Sequence, residues 1–240
     1  MFLGVSSPAI ACRSPTCSSV PRANTTPELG AVVSAHYNTS LAPLERSFAA
    51  ELQNGRLHVL QADLSVESSV QSLFTQLHAP ISVLIVNHGL YITPDIPLAD
   101  LSLEQWEKTF SVNTTASFLV VREWLRALRA AGDDVKSNAS VVFIGSTAGR
   151  FGEADHADYA ASKSGEWFHR DRPWVMDNDA NVNPCLRSAL MYGLTLSLKN
   201  EIVKIAPRGR VNVVAPGWVH TPMSQEALKN PAVAYQALAT

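Results

Sequence analysis

The sequence predicts an α/β protein, a doubly wound parallel sheet. Short apolar runs alternate with stretches of helical period along most of the chain. The runs are rich in Val, Ile and Leu and mostly lack polar residues at alternate positions. That is the pattern of strands covered by helices on both faces. A length of 240 residues with 46% apolar residues suits one domain with a sizeable core.

The elements follow in order. Residues 1–27 hold Ser, Pro, Thr and Ala with Arg13 and Arg22, and have no strong period. They read as a disordered leader, with a transit peptide as the alternative. The folded domain is expected over 28–240. Strands are expected at 31–37, 57–62, 81–87, 140–145 and 210–215. Helices are expected at 41–54, 66–78, 102–130, 157–165 and 189–206. In the long helix Leu103, Trp106 and Phe110, then Phe118, Val121, Leu125 and Leu128, keep an approximate helical spacing. Residues 165–188 carry Pro173, Pro184, Asn178, Asn181 and Asn183, which oppose helix. Alternation of this kind implies right-handed crossovers. Ligands then bind beyond the carboxyl ends of the strands. Asn87, Ser146 and Pro216 each stand just past a predicted strand end, so they can converge.

Tyr159 and Lys163 stand four apart, on one face of a helix, and Ser146 lies thirteen residues upstream. A phenol and an ammonium have ordinary pKa values of about 10 and about 10.4, so neither moves protons well alone at neutral pH. A nearby cation favours the phenolate. The Tyr can then act as general acid or base while Ser146 hydrogen-bonds a substrate oxygen. This suits hydride exchange between a carbonyl or alcohol and a nicotinamide. By itself a Tyr and a Lys at this spacing are usually a packed ring beside a solvated cation. Ser146 alone also reads as a turn cap, Asn113 as a group satisfying backbone, and Asp63 as a cap for the helix beginning near Val66. His156 reads as a solvated loop residue or a pocket wall. His88 reads as a packing residue or a catalytic one.

The motifs around these residues resemble the short-chain dehydrogenase/reductase family, in particular its 3-ketoacyl reductases. The resemblance implies a Rossmann-like fold. It covers roughly 28–164 and 189–240. Asp63-Leu64 is similar to the family's adenine-contacting pair. Asn87-His88-Gly89 is similar to its Asn-Asn-Ala-Gly, shortened by one residue. Asn113 stands where the family keeps a helix Asn that organises a proton-relay water. Ser146, Tyr159 and Lys163 stand at the family's usual spacing. Pro216-Gly217-Trp218-Val219-His220-Thr221 is similar to its Pro-Gly-x-x-x-Thr. The resemblance implies Asn113, Ser146, Tyr159 and Lys163 as catalytic. It implies Tyr37, Asn38, Asp63, Leu64, Asn87, Gly89, Tyr159, Lys163, Pro216, Gly217, Val219 and Thr221 as cofactor-binding, with no metal.

Three departures qualify the match. The family opens with a strand and a Gly-rich turn, whose glycines let a helix N-terminus approach the cofactor pyrophosphate. Here the only glycines before Gly55 are Gly4 and Gly30. Residues 165–188 interrupt what the family keeps as one continuous helix. Gly165-Glu166-Trp167 can be encoded with a splice-donor-like string, so this segment reads as an insertion or a gene-model error. The chain stops at Thr240, soon after the Pro-Gly motif. The sheet is therefore expected to lack the family's first and last strands, and a family-type homo-oligomer is doubtful.

Charge and composition exclude other classes. The net charge of −2 without basic runs argues against nucleic acid. No apolar stretch reaches membrane-spanning length. Three cysteines, Cys12, Cys17 and Cys185, make neither a disulfide framework nor a metal site. NAD enzymes of this fold place Asp or Glu at the end of the second strand. The corresponding His36-Tyr37-Asn38-Thr39-Ser40 has no carboxylate, which favours NADP, with NAD as the alternative. The expected partner is a small-molecule carbonyl or alcohol, and the expected location the cytoplasm, with the mitochondrion as the alternative. Two other readings stand beside the reductase: a catalytically silent relative that binds or dimerises, and a misread gene product.

Overall fold

The computed structural model describes residues 10–13, 31–164, 190–219, 227–229, 231 and 235. Thr221 and the expected insertion at 165–188 lie outside them. Six strands form one sheet: β1 (Ile10–Arg13), β2 (Val32–Tyr37), β3 (Leu57–Gln61), β4 (Val83–Val86), β5 (Ser140–Ile144) and β6 (Arg210–Val214). Their order is β3-β2-β1-β4-β5-β6. β2 runs parallel to β3, and β4, β5 and β6 run parallel to one another. The five strands expected from the sequence are all present, within a few residues of their expected ends.

β1 corrects two expectations. The position beside β2, expected to be empty, is filled by Ile10–Arg13, so the leader is not structureless throughout. β1 pairs antiparallel with both β2 and β4. An open slot there would leave two interior edges with unpaired N–H and C=O groups, which a buried sheet does not tolerate. A parallel strand would need a crossover, usually a helix. The consequence lies at the site. Ile10 stands opposite Ala35 and Ile85, near the carboxyl ends of β2 and β4, while Arg13 stands opposite Val32. The chain therefore leaves β1 at the edge of the sheet away from the ligand side.

The helices between the strands are α1 (Ala42–Ser47), α2 (Ala49–Gln53), α3 (Glu67–Thr75), α4 (Leu103–Phe110), α5 (Ala116–Ala130), α6 (Asp133–Lys136), α7 (Ala148–Phe151), α8 (Ala157–Lys163) and α9 (Leu190–Ile205). The expected 41–54 helix is broken at Phe48, whose backbone leaves the helical region. Leu44, Phe48 and Leu52 all pack on one side of the sheet. The expected 102–130 helix carries a π-helical turn at Ser111–Thr115 between α4 and α5. Ser102 starts it, its hydroxyl accepting from the Gln105 N–H at 3.1 Å.

Burial shows the double winding directly. All four residues of β4 are buried. Leu84 and Val86 join the core under α3, α5 and α9, with Val70, Leu119, Trp124, Leu128, Phe143 and Ile202. Val83 and Ile85 join the opposite core under α1 and α2, with Val33, Leu44 and Leu57. Trp124 is fully buried and its indole N–H donates to the Ile81 carbonyl at 3.0 Å. α8 ends at Lys163, where Ser164 turns extended, and α9 begins at Leu190.

Candidate active site

The carboxyl edges of β4, β5 and β6 carry the candidate residues. Past β5 and β6 the ladder continues: Gly145 N–H donates to the Val214 carbonyl at 2.8 Å, and Thr147 N–H to the Pro216 carbonyl at 3.0 Å. These bonds hold the Ser146 and Pro216 loops together. Gly217 faces the Thr147 side chain. Ser146 Oγ accepts from the Ala148 N–H at 3.2 Å, a local turn bond just before α7.

Lys163 is the centre of the arrangement. It is only 6% exposed, and its ammonium donates to the Ile144 carbonyl at 3.1 Å. Gly89 makes room for it. A Cβ on Gly89 would stand 3.3 Å from Lys163 Nζ and 3.7 Å from Asn113 Oδ1. A second glycine sets the depth of α8. A Cβ on Gly149 would overlap the Lys163 main-chain carbonyl, so α7 and α8 approach to backbone contact there. Tyr159 lies one turn before Lys163 on the same helix.

Asn113 ties the site together. Its Oδ1 accepts from Leu90 N–H at 2.6 Å, and its Nδ2 donates to the Leu90 carbonyl at 3.0 Å and to Ser162 Oγ at 2.8 Å. One buried amide thus joins the loop after β4 to α8. The π-helical turn presents it, in keeping with the tendency of such turns to occur at functional sites. The backbone-satisfying reading of Asn113 is correct in its geometry. Ser162 in turn donates to the Tyr159 carbonyl at 2.8 Å.

The other candidates lie along the same edge. Asn87 follows β4 and is half-buried. Tyr37 ends β2, and the Asn38 carbonyl accepts from Gln61 Nε2 at 2.9 Å. Asp63 Oδ1 accepts from both the N–H and the hydroxyl of Ser65, at 2.9 and 2.6 Å, which is a local turn bond. Leu64 is buried in the core. Val219 is exposed.

Three residues sharpen the sequence reading. His156 is not solvated: it is buried, its Nε2 stands 3.0 Å from Asp95 Oδ1, and its ring packs on Tyr91. Asp158 is buried and accepts from Thr109 Oγ1 at 2.6 Å, joining α8 to α4. His88 is buried at the end of β4, with its Nε2 3.3 Å from Ser117 Oγ. Nothing in a single sequence distinguishes a buried His from a solvated one, since both rest on contacts distant in the chain.

Burial holds His88 neutral, and Lys163 and then His36 add to the effect, lowering its pKa to about 3. The unfolded chain takes up that proton near the ordinary value of 6.5. Between these values the unfolded state binds more protons. The stability from neutral His88 is therefore complete above about 6.5 and is lost as pH falls toward about 3. His36 has its pKa lowered by burial and works in the same direction. We expect the melting temperature to fall between about pH 7 and about pH 4, and to fall less steeply in His88→Ala. Equal slopes for the two proteins would remove His88 as the source.

Among the described residues no group of three His, Cys, Asp or Glu could hold a metal ion. No helix among them is long and apolar enough to cross a membrane.

The chain is similar to known proteins. A family model described as short chain dehydrogenase matches residues 23–166. The chain is 30% identical over 202 residues to the uncharacterized oxidoreductase YgfF of Escherichia coli, covering 81% of this chain and 68% of that protein. It is 27% identical over 169 residues to MabA, the 3-oxoacyl-[acyl-carrier-protein] reductase of Mycobacterium bovis, covering 69% of this chain and 55% of that one. The chain thus spans little more than half the length of MabA. Among solved structures, that of gox2181 superposes with a TM-score of 0.63 at 18% identity, over 85% of this chain and 69% of the other. An actinorhodin polyketide ketoreductase variant with NADPH superposes with a TM-score of 0.59 at 22% identity, over 81% and 65%. At these identities the structures show the fold, and the sequence matches show the kinship: this chain belongs to the short-chain dehydrogenase family, a family of oxidoreductases.

Proposed function

We propose that this chain interconverts a carbonyl compound, a ketone or 3-oxoacyl group, and the matching alcohol by Tyr-assisted hydride transfer with NADP. The observation that carries the reading is the buried Lys163 ammonium, held by the Ile144 carbonyl over Gly89, one helical turn from Tyr159. A cation so placed favours the phenolate and makes Tyr159 a usable proton donor and acceptor. Ser146 donates a hydrogen bond to the substrate oxygen, where charge develops. Asn113 fixes the Leu90 loop against α8 and so sets the distance across the site.

The nicotinamide half of a cofactor site fits the residues present. Gly89, Asn87, Tyr159, Lys163, Pro216, Gly217, Val219 and Thr221 would hold that end, and Asp63 and Leu64 the adenine. Tyr37 and Asn38 end β2 without a carboxylate, which supports NADP over NAD. The bound nucleotide supplies the hydride. A catalytically silent, binding role is the second reading, favoured by the antiparallel direction of β1.

NADPH oxidation with a simple ketone, an aldehyde and a 3-oxoacyl thioester, each at saturating NADPH, tests the two. Turnover of any of them supports the reductase. Fluorescence-detected NADPH binding without turnover supports the silent relative.

A further inference from the structure

The loop after β4 carries a second phenol that the catalytic reading does not use. Tyr91 packs edge-on to the Tyr159 ring, with centroids 4.9 Å apart and planes at 81°. Its other side lies against His156, at 4.2 Å and 32°. His156 is the residue before the first turn of α8, and Tyr159 lies three positions on, so the two rings share a helix face. Tyr91 fits between them as a wedge.

Tyr91 is itself held from three sides. Both backbone groups of its neighbour Leu90 are bonded to Asn113. Its hydroxyl donates to Glu153 Oε1 at 3.0 Å. The loop beyond it is clamped to the segment before α8, where His156 Nε2 meets Asp95 Oδ1 at 3.0 Å and Ile96 N–H donates to the Asp155 carbonyl at 3.0 Å. Burial, and after it the Glu153 carboxylate, push the Tyr91 phenol well above its usual range. Tyr91 therefore stays neutral, and its hydroxyl keeps its proton, donated to Glu153. It does not compete with Tyr159 for the substrate proton.

We propose that Tyr91 is a positioning residue that fixes the ring of Tyr159, and with it the direction of the reacting hydroxyl. The terminal torsion of a Tyr ring is broad when nothing packs on it. An edge-on neighbour selects one orientation. A small misplacement of a reacting group costs a large factor in rate without a matching loss of binding. The proposal rests on the reading of Tyr159 as proton donor, and its spectroscopic test does not.

The test compares Tyr91→Phe, which keeps the ring and loses the Glu153 bond, with Tyr91→Leu, which loses both. Tyr91→Met replaces Tyr91→Leu where the latter does not fold. With protein labelled with carbon-13 at tyrosine Cζ, the Tyr159 resonance is assigned by its loss in Tyr159→Phe. It should keep its position in Tyr91→Phe, and shift or broaden in Tyr91→Leu as the ring loses its fixed neighbour. In turnover, Tyr91→Leu should lose about tenfold or more in kcat with KM changed much less. Tyr91→Phe should stay within about threefold of the parent. A Tyr159 resonance unmoved by Tyr91→Leu overturns the proposal whether or not the protein turns over. Equal damage by Phe and Leu also overturns it, since the Glu153 bond and not the ring would then be responsible. An absence of turnover in the parent, with the resonances behaving as stated, would count against the reductase reading alone.

Discussion

Tyr159→Phe is expected to abolish carbonyl reduction while leaving NADPH affinity within a few-fold. The change removes one oxygen and keeps the ring, so the packing against Tyr91 survives. What is lost is the group that carries the proton. A positioned general acid contributes about 10²- to 10⁴-fold, and the drop in kcat should fall in that range or exceed it. Lys163→Met should behave differently. Its ammonium is buried over Gly89 at the ends of β4 and β5, so removing it disturbs both the phenol and the floor on which a cofactor ribose would rest. Turnover and cofactor affinity should fall together. Initial-rate kinetics beside NADPH fluorescence titration separate the two variants. Activity that survives Tyr159→Phe would end the proton-donor assignment, and unchanged affinity in Lys163→Met would end the second role of the lysine.

Much of this arrangement was legible in the chain, for a physical reason. Strands buried on both faces must be almost wholly apolar, so β4 and β5 stand out as short runs of Val, Ile and Leu. Motif residues at strand ends were legible because the doubly wound fold brings those ends to one edge. The Tyr159–Lys163 pair was legible because helical spacing is local. β1 was not. Ile10–Arg13 is four residues with no alternation to mark it, and its place is known only from its pairing with β2 and β4. The clamp built by Tyr91, Glu153, His156 and Asp95 was equally hidden. Its members are separated by about sixty residues of chain, and each alone is an ordinary polar residue in a loop.

The direction of β1 leads to the second large effect, which is weak cofactor binding. In a doubly wound sheet the dinucleotide pyrophosphate lies where the strand order reverses, on the N-terminus of the helix that follows the central strand. The order β3-β2-β1-β4-β5-β6 puts that point beside β1. Because β1 is antiparallel to both neighbours, its exit at Arg13 faces the opposite edge, level with Val32. The N–H groups and the dipole that normally meet the pyrophosphate are therefore not supplied from there. The dipole alone contributes about 0.3–1 kcal/mol, and the hydrogen bonds add to it. We expect an NADPH dissociation constant at least about tenfold above that of a relative with the Gly-rich turn, equivalent to about 1.4 kcal/mol or more. Titration calorimetry on the full chain reads this directly. Replacing the residues before Glu28 with a strand, a Gly-rich turn and a helix should recover the loss, because β2 and β4 already present the two edges such a strand would join. Micromolar affinity in the parent chain would show instead that residues before Val32 build a phosphate site of their own, and the reversed strand would then carry no functional penalty.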